Sequence, residues 1–172
     1  MIADLRFYCH PERGRSRRGI CTLMKYFLVF LFSIFLGSLF IIPSALAAEM
    51  FFVASNDKPA MEELFKVDFF INTQEENINA MAGKIVFPAD RLELKEVRDG
   101  NSIVNLWIER PALKSAGEVA FSGITPGGYK NTNGLLFSLI FRSLKPGKIS
   151  INLVDWQALL NDGKGTAATL SL

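Results

Sequence analysis

Cysteine and histidine are scarce in this chain of 172 residues: two cysteines, Cys9 and Cys21, and one histidine, His10, all within the first 23 positions. From Ala48 onward neither residue occurs. For that later part, the absence excludes a Ser–His or Cys–His nucleophile pair and a zinc site built from thiolate or imidazole. Disulfides are excluded as well, so the domain must stand without cross-links. Only carboxylates, amides, hydroxyls and lysines remain for chemistry. Charge is missing from Tyr26 to Ala48, and low-complexity tracts, internal repeats and linkers are missing throughout.

The uncharged stretch is the first positive signal. "YFLVFLFSIFLGSLFII" holds five of the fifteen phenylalanines, follows Met24 and Lys25, and precedes Pro43, Ala45 and Ala47. A positive start, an apolar run, a helix breaker and small residues form the layout of a secretory signal peptide. Residues 24–47 are therefore expected to be that peptide, cut between Ala47 and Ala48. An uncleaved anchor is the alternative, since about 20 apolar residues span a bilayer; an anchor has no need of Pro43 or of Ala-Leu-Ala. Upstream, residues 1–23 carry Arg13, Arg15, Arg17 and Arg18. A basic run of this kind suggests nucleic acid, but an exported chain discards it or leaves it behind. It is read as a misassigned or disordered extension, with translation starting at Met24. The expected location is extracellular or at the cell surface, with membrane contact only through an uncleaved signal segment.

The remainder, Ala48–Leu172, has 125 residues, with thirteen Lys and Arg against fifteen Asp and Glu, a net of −2. The +2 of the whole chain thus belongs to the discarded end, and no nucleic acid partner is implied. A chain of this length can bury roughly two-thirds of its unfolded surface as one domain. Its apolar period is two. In "LFKVDFFIN" Phe65, Val67, Phe69 and Ile71 alternate with Lys66, Asp68, Phe70 and Asn72; "GLLFSLIFR" sets Leu135, Phe137, Leu139 and Phe141 against Leu136, Ser138, Ile140 and Arg142. Such alternation makes strands with one face in a core. Further runs are "EMFFVAS", "MAGKIVFP", "LELKEV", "SIVNLWIE", "EVAFSG", "GKISINLVD" and "TAATLSL", separated by turn signals. The predicted architecture is all-β, a single sandwich of about nine strands. Helical turns are expected only near Ala60–Leu64 and Trp156–Leu160, and Pro88 and Pro111 at strand ends. Phe70, Leu136 and Ile140 fall on the outer side, which calls for a covered second face or a surface awaiting a partner.

The order of segments resembles bacterial cohesin-like modules. The likeness rests on "N-A" before a strand ending "F-P", the "L-E-L" strand, "F-S-G" with a Pro-Gly-Gly turn, "G-L-L-x-x-x-x-F", and "N-D-G-x-G-T", across nearly all of Met50–Leu172. The resemblance implies a nine-stranded jelly-roll sandwich, non-catalytic, that holds a dockerin-like or cell-surface protein partner through one exposed sheet face.

Four residues are candidates for binding. Should Leu106 and Ile108 face the core, alternation turns Asn105, Trp107 and Glu109 outward; the alternative is a Trp107 packed in the core. Tyr129 lies in "ITPGGYKNTNG", where a period of two resumes after Gly134. A strand therefore follows, whereas a phosphate-binding glycine loop opens a helix. The loop is read as a connection between sheets, with positive-φ turns at Pro126–Gly128 and Asn131–Gly134. Trp107 and Tyr129 as sugar-stacking platforms would make the chain a carbohydrate-binding module, the second reading; Trp156 is expected to plug the sandwich mouth. "LLNDGKGT" lacks the spacing of a nucleotide loop and the carboxylates of a calcium loop, and reads as a hairpin. Acid pairs such as Glu62/Glu63 and Asp90/Glu93 are neighbours in sequence, whereas a glycosidase needs carboxylates facing across a cleft. No catalytic residue, cofactor or metal is expected.

Overall fold

The computed structural model describes residues 47–171 together with Phe27. The expected extension (1–23) and, apart from Phe27, the signal segment up to residue 46 lie outside the described residues.

Among the described residues nine strands form two sheets, as the alternation predicts. The five-stranded sheet runs β4 (Leu92–Arg98), β7 (Gly134–Ser143), β2 (Leu64–Asn72), β1 (Ala48–Ala54), β9 (Leu170–Ser171). The four-stranded sheet runs β5 (Leu106–Ser115), β6 (Glu118–Tyr129), β3 (Ile78–Val86), β8 (Asn152–Leu160). All pairings are antiparallel except β1 with β9. From β2 to β9 every connection but β5–β6 crosses from one sheet to the other, which gives the sandwich its jelly-roll character.

Phenylalanine holds the layers together. Phe137 of β7 lies 5.1 Å from Phe69 of β2 and 5.0 Å from Phe121 of β6, so one ring ties both sheets. Phe141 meets Phe65 at 5.8 Å and Phe87 at 4.9 Å. Burying each such side chain stabilises the fold by about 1.5–3 kcal/mol.

Where the strands depart from strict alternation, the cause is a bulge. Phe69 pairs with Phe137 but Phe70 with Leu135, which leaves Leu136 as an extra residue on β7. An inserted residue reverses the side-chain parity beyond it. Leu136, expected outside, is therefore fully buried, and Leu135 takes the outer side. Phe70 and Ile140 do lie outside, half-buried, with the Phe70 ring stacked on Phe51 at 5.5 Å.

Three more expectations are corrected. Trp156–Leu160 is not a helical turn but the end of β8, and Trp156 is a core residue inside that strand, not a plug at its end. The strand survives there because Asp155 adopts a left-handed backbone (φ 51°) that absorbs one residue. Pro111 lies inside β5; it is tolerated because β5 is an edge strand whose ladder shifts between Glu109 and Ala112. Finally, Gly127 and Gly128 have positive φ as expected (85° and 79°), but Gly134 does not. Gly134 is required for space: a Cβ there would lie 2.6 Å from the Tyr129 ring.

Candidate binding face

Residues opposite one another in a ladder share a face, so the register defines what the four-stranded sheet shows to its surroundings. Ala82 is paired with Ser122, Lys84 with Ala120, and Ala112 with Ala120. Leu106 stands beside Ile124, Ala80 beside Leu159, and Lys84 beside Val154. The centre of the outer face is thus floored by alanine and serine, with Leu106, Ile124, Val86 and Val154 around it, and the same register sets Glu109 beside Ser122, Gln157 beside Ala82, and Glu118 and Asn152 beside Val86. Its centre holds small side chains, and charge lies beside them at Lys84, Glu109 and Glu118. An antiparallel sheet with one solvated face ordinarily carries polar residues at these positions.

Lys84 is the cation within this face. Its Nζ lies 3.1 Å from Asp155 Oδ2. The hydrogen bond to Asp155, the charge of Asp155 and the charge of Glu118 raise its pKa, so the ammonium persists at every physiological pH. The left-handed turn of Asp155 is what delivers the carboxylate to it.

The sequence-predicted residues divide into two pairs. Asn105 is exposed just before β5, its N–H donating to the Ile124 carbonyl at 3.1 Å, and Glu109 pairs with Lys114 at 2.6 Å. Of the two readings of Trp107, the packed one holds. It packs inward, 6.3 Å from Phe137, while Leu106 (53 % exposed) and Ile108 (66 %) point out. The reason is Gly123 on the neighbouring strand: a Cβ there would lie 3.0 Å from the indole and 2.3 Å from Val104 Cγ1, so the glycine makes room for both. Tyr129 is half-buried over Gly134, and burial raises its phenol pKa. Trp107 and Tyr129 therefore serve packing, and neither forms a flat external platform.

The loops at one end are locked by asparagine. Asn161 donates from Nδ2 to the Gly127 carbonyl (2.9 Å) and from its N–H to the Asn77 carbonyl (2.7 Å). Asp162 accepts from the Lys164 N–H at 2.8 Å and from the Thr166 hydroxyl. These bonds close the turn after β8, in which the Leu160 N–H donates to Thr166 O (2.8 Å) and Leu159 bridges to Ala167. Among the described residues no three His, Cys, Asp or Glu side chains gather as a metal cluster.

The five-stranded sheet's outer face holds an open groove of about 490 Å³ between β2, β7 and the Asp99–Asn101 turn. Two carboxylates border it, and each is already held by a cation: Asp68 by Lys66 at 2.7 Å and Asp99 by Arg110 at 2.6 Å.

This arrangement of strands is shared with known structures. A non-cellulosomal cohesin from Archaeoglobus fulgidus superposes with a TM-score of 0.58 at 14% identity, over 72% of this chain and 85% of that one. The fold is cohesin-like. A cohesin module from a Clostridium perfringens family 33 glycoside hydrolase gives 0.56 at 14% identity, over 74% and 92%. The type I cohesin–dockerin complex of OlpA with Doc918 from Clostridium thermocellum gives 0.55 at 17%, over 72% and 94%. No family model and no curated protein matches the sequence. Sequence reasoning reached the cohesin-like sandwich but missed its flat face. The only trace was small residues at alternate positions, Ala80 and Ala82 in "INAMAGK", Ala120 and Ser122 in "EVAFSG".

Proposed function

We propose that this chain is an exported, non-catalytic binding module whose cohesin-like sandwich attaches to a protein partner through the outer face of the four-stranded sheet. The observation that carries the reading is the centre of that face: alanine and serine where a solvated sheet would be polar, with Leu106, Ile124 and Val154 beside them and Glu109 and Gln157 at their flanks. A flat floor of small side chains admits a partner helix or sheet to close approach, and Lys84 with Asp155 offers it one oriented polar anchor. The partner class is dockerin-like or a cell-surface protein, consistent with solved relatives of this fold in complex with dockerins. Export follows from residues 24–47, with Ala48 as the first residue of the mature protein.

Two measurements test this reading. Titration calorimetry against purified dockerins or a captured secretome protein is expected to show one-to-one binding, abolished by Ala82→Arg at the centre of the face. Mass spectrometry of the secreted product is expected to begin at Ala48. Binding to a defined polysaccharide on a glycan array, undiminished by Ala82→Arg, would refute the protein-partner reading in favour of a carbohydrate module.

A further inference from the structure

The two sheets end in edges that are defended unequally. The β4 edge carries Glu93, Lys95, Glu96 and Arg98, with a ladder shift between Leu94 and Glu96. The β5 edge carries Pro111 and three ladder shifts. The β8 edge is broken by the left-handed Asp155. Charge, proline and bulges are the devices by which sheets keep foreign strands from adding to an open row of backbone donors and acceptors. Over Met50–Ala54, β1 has none of them. Met-Phe-Phe-Val-Ala holds no charge, and pairing with β2 is unbroken from Glu49 to Ala54. Among the described residues, β9 covers the far side only at Ala48 and Glu49. Phe52 is 39 % and Val53 53 % exposed.

We infer that Met50–Ala54 is a strand-pairing edge and that its occupant is the same edge of a second copy of this chain, added antiparallel about a two-fold axis. Unpaired backbone groups along a straight edge are satisfied by another extended strand, which fixes the chemistry of the occupant. Three features select a second copy. An uncharged edge meets its own image without like-charge repulsion. Pairing centred on Phe52 sets Phe52 against Phe52 and Met50 against Ala54, a favourable cross-strand arrangement of aromatic and aliphatic side chains. β1 also ends at Ala54 and the chain bends at Ser55, so an incoming copy departs before reaching the positions β9 occupies. The contact is isologous and closes on itself. It joins two five-stranded sheets into one continuous sheet and leaves the four-stranded faces open.

Protein recovered from expression of the whole chain tests this by sedimentation velocity and amide hydrogen exchange, from low micromolar to near-millimolar concentration. The expected result is a dimer that grows with concentration, with matching protection of the Met50–Ala54 amides that face away from β2. Val53→Lys, placed at an exposed position, is expected to abolish both. A monomer throughout, or a dimer whose β1 amides exchange freely, overturns the inference. Equal protection at every concentration also overturns it, because the chain's own residues then fill the edge. Should Val53→Lys fail to fold, the exchange data on the unaltered chain decide alone.

Discussion

The two outer faces of this sandwich are built on opposite plans. On the five-stranded sheet, charges stand in rows and are matched. Arg142 Nε donates to Glu93 at 2.8 Å while its Nη1 reaches Glu62 at 2.9 Å; Lys66 pairs with Asp68, which also accepts from Ser138 Oγ at 2.6 Å; Arg98 grips Glu96 at 2.8 Å. On the four-stranded sheet the central positions hold alanine and serine, and the ion pairs Lys84–Asp155 and Lys114–Glu109 stand to the sides of them. The core beneath is shared and phenylalanine-rich, so packing does not account for the difference. A paired, hydrated face resists docking because each charge would have to give up both water and partner. A face of small apolar groups loses little on desolvation, which makes it the surface on which contact is cheap.

The sharpest way to break the comparison is to remove what both faces stand on. Phe137→Ala takes out the ring that touches Phe69, Phe121 and Trp107. The expected loss is about 3–5 kcal/mol, read by urea denaturation, with both faces lost together. Next in size, Ala82→Arg is expected to weaken partner binding by roughly thirty-fold or more, about 2 kcal/mol, in calorimetry, with the melting temperature nearly unchanged. The mirror experiment, Lys66→Ala on the charged face, is expected to leave affinity within about two-fold, the size of an ordinary rim contact. Equal losses from the two substitutions would erase the distinction between the faces.

Smaller effects probe the charged face alone. Arg142→Ala removes the shared partner of Glu93 and Glu62 and is expected to lower the melting temperature by less than the core variant does, with the gap narrowing in high salt, as for exposed ion pairs generally. The mildest test is pH. Lys95 and Arg142 hold the Glu93 carboxyl below its ordinary value, Arg98 does the same for Glu96, and the Ala60 N–H with Asn56 does so for Glu63. A carboxylate whose folded pKa is depressed contributes fully above its unfolded pKa, near 4.3. That contribution is lost as pH falls from there through the folded value. Thermal melts are thus expected to be flat from neutrality down to the ordinary carboxylate range and to decline below it. Glu93→Gln is expected to make that decline shallower.

Most of the fold was legible because strands announce themselves by alternation. "LFKVDFFIN" is β2 residue for residue, and "GLLFSLIFR" is β7 up to its last residue, Ser143. What escaped were the places where one extra residue inverts the count. Leu136 was assigned to the wrong face because of a bulge on β7, and the two readings of Trp107 stayed open because Gly123 offers its space only once the strands are paired. Periodicity read along one strand cannot register what a neighbour makes available. The proposed binding face escaped for a different reason. Alanine is neither apolar enough to mark a core nor polar enough to mark a surface, so Ala80, Ala82, Ala112 and Ala120 contribute almost nothing to a pattern until the register lines them up.

One junction would govern the order of events in the leader cleavage proposed above. Ala48 is wholly buried, and its N–H donates to the Thr169 carbonyl at 2.7 Å, fastening the first strand to the last. A peptidase acting on the Ala47–Ala48 bond needs a loose, extended substrate, which a sealed sandwich would withhold. Severance of a leader at that bond would thus have to precede the docking of β9, and a chain that closed first would keep its leader.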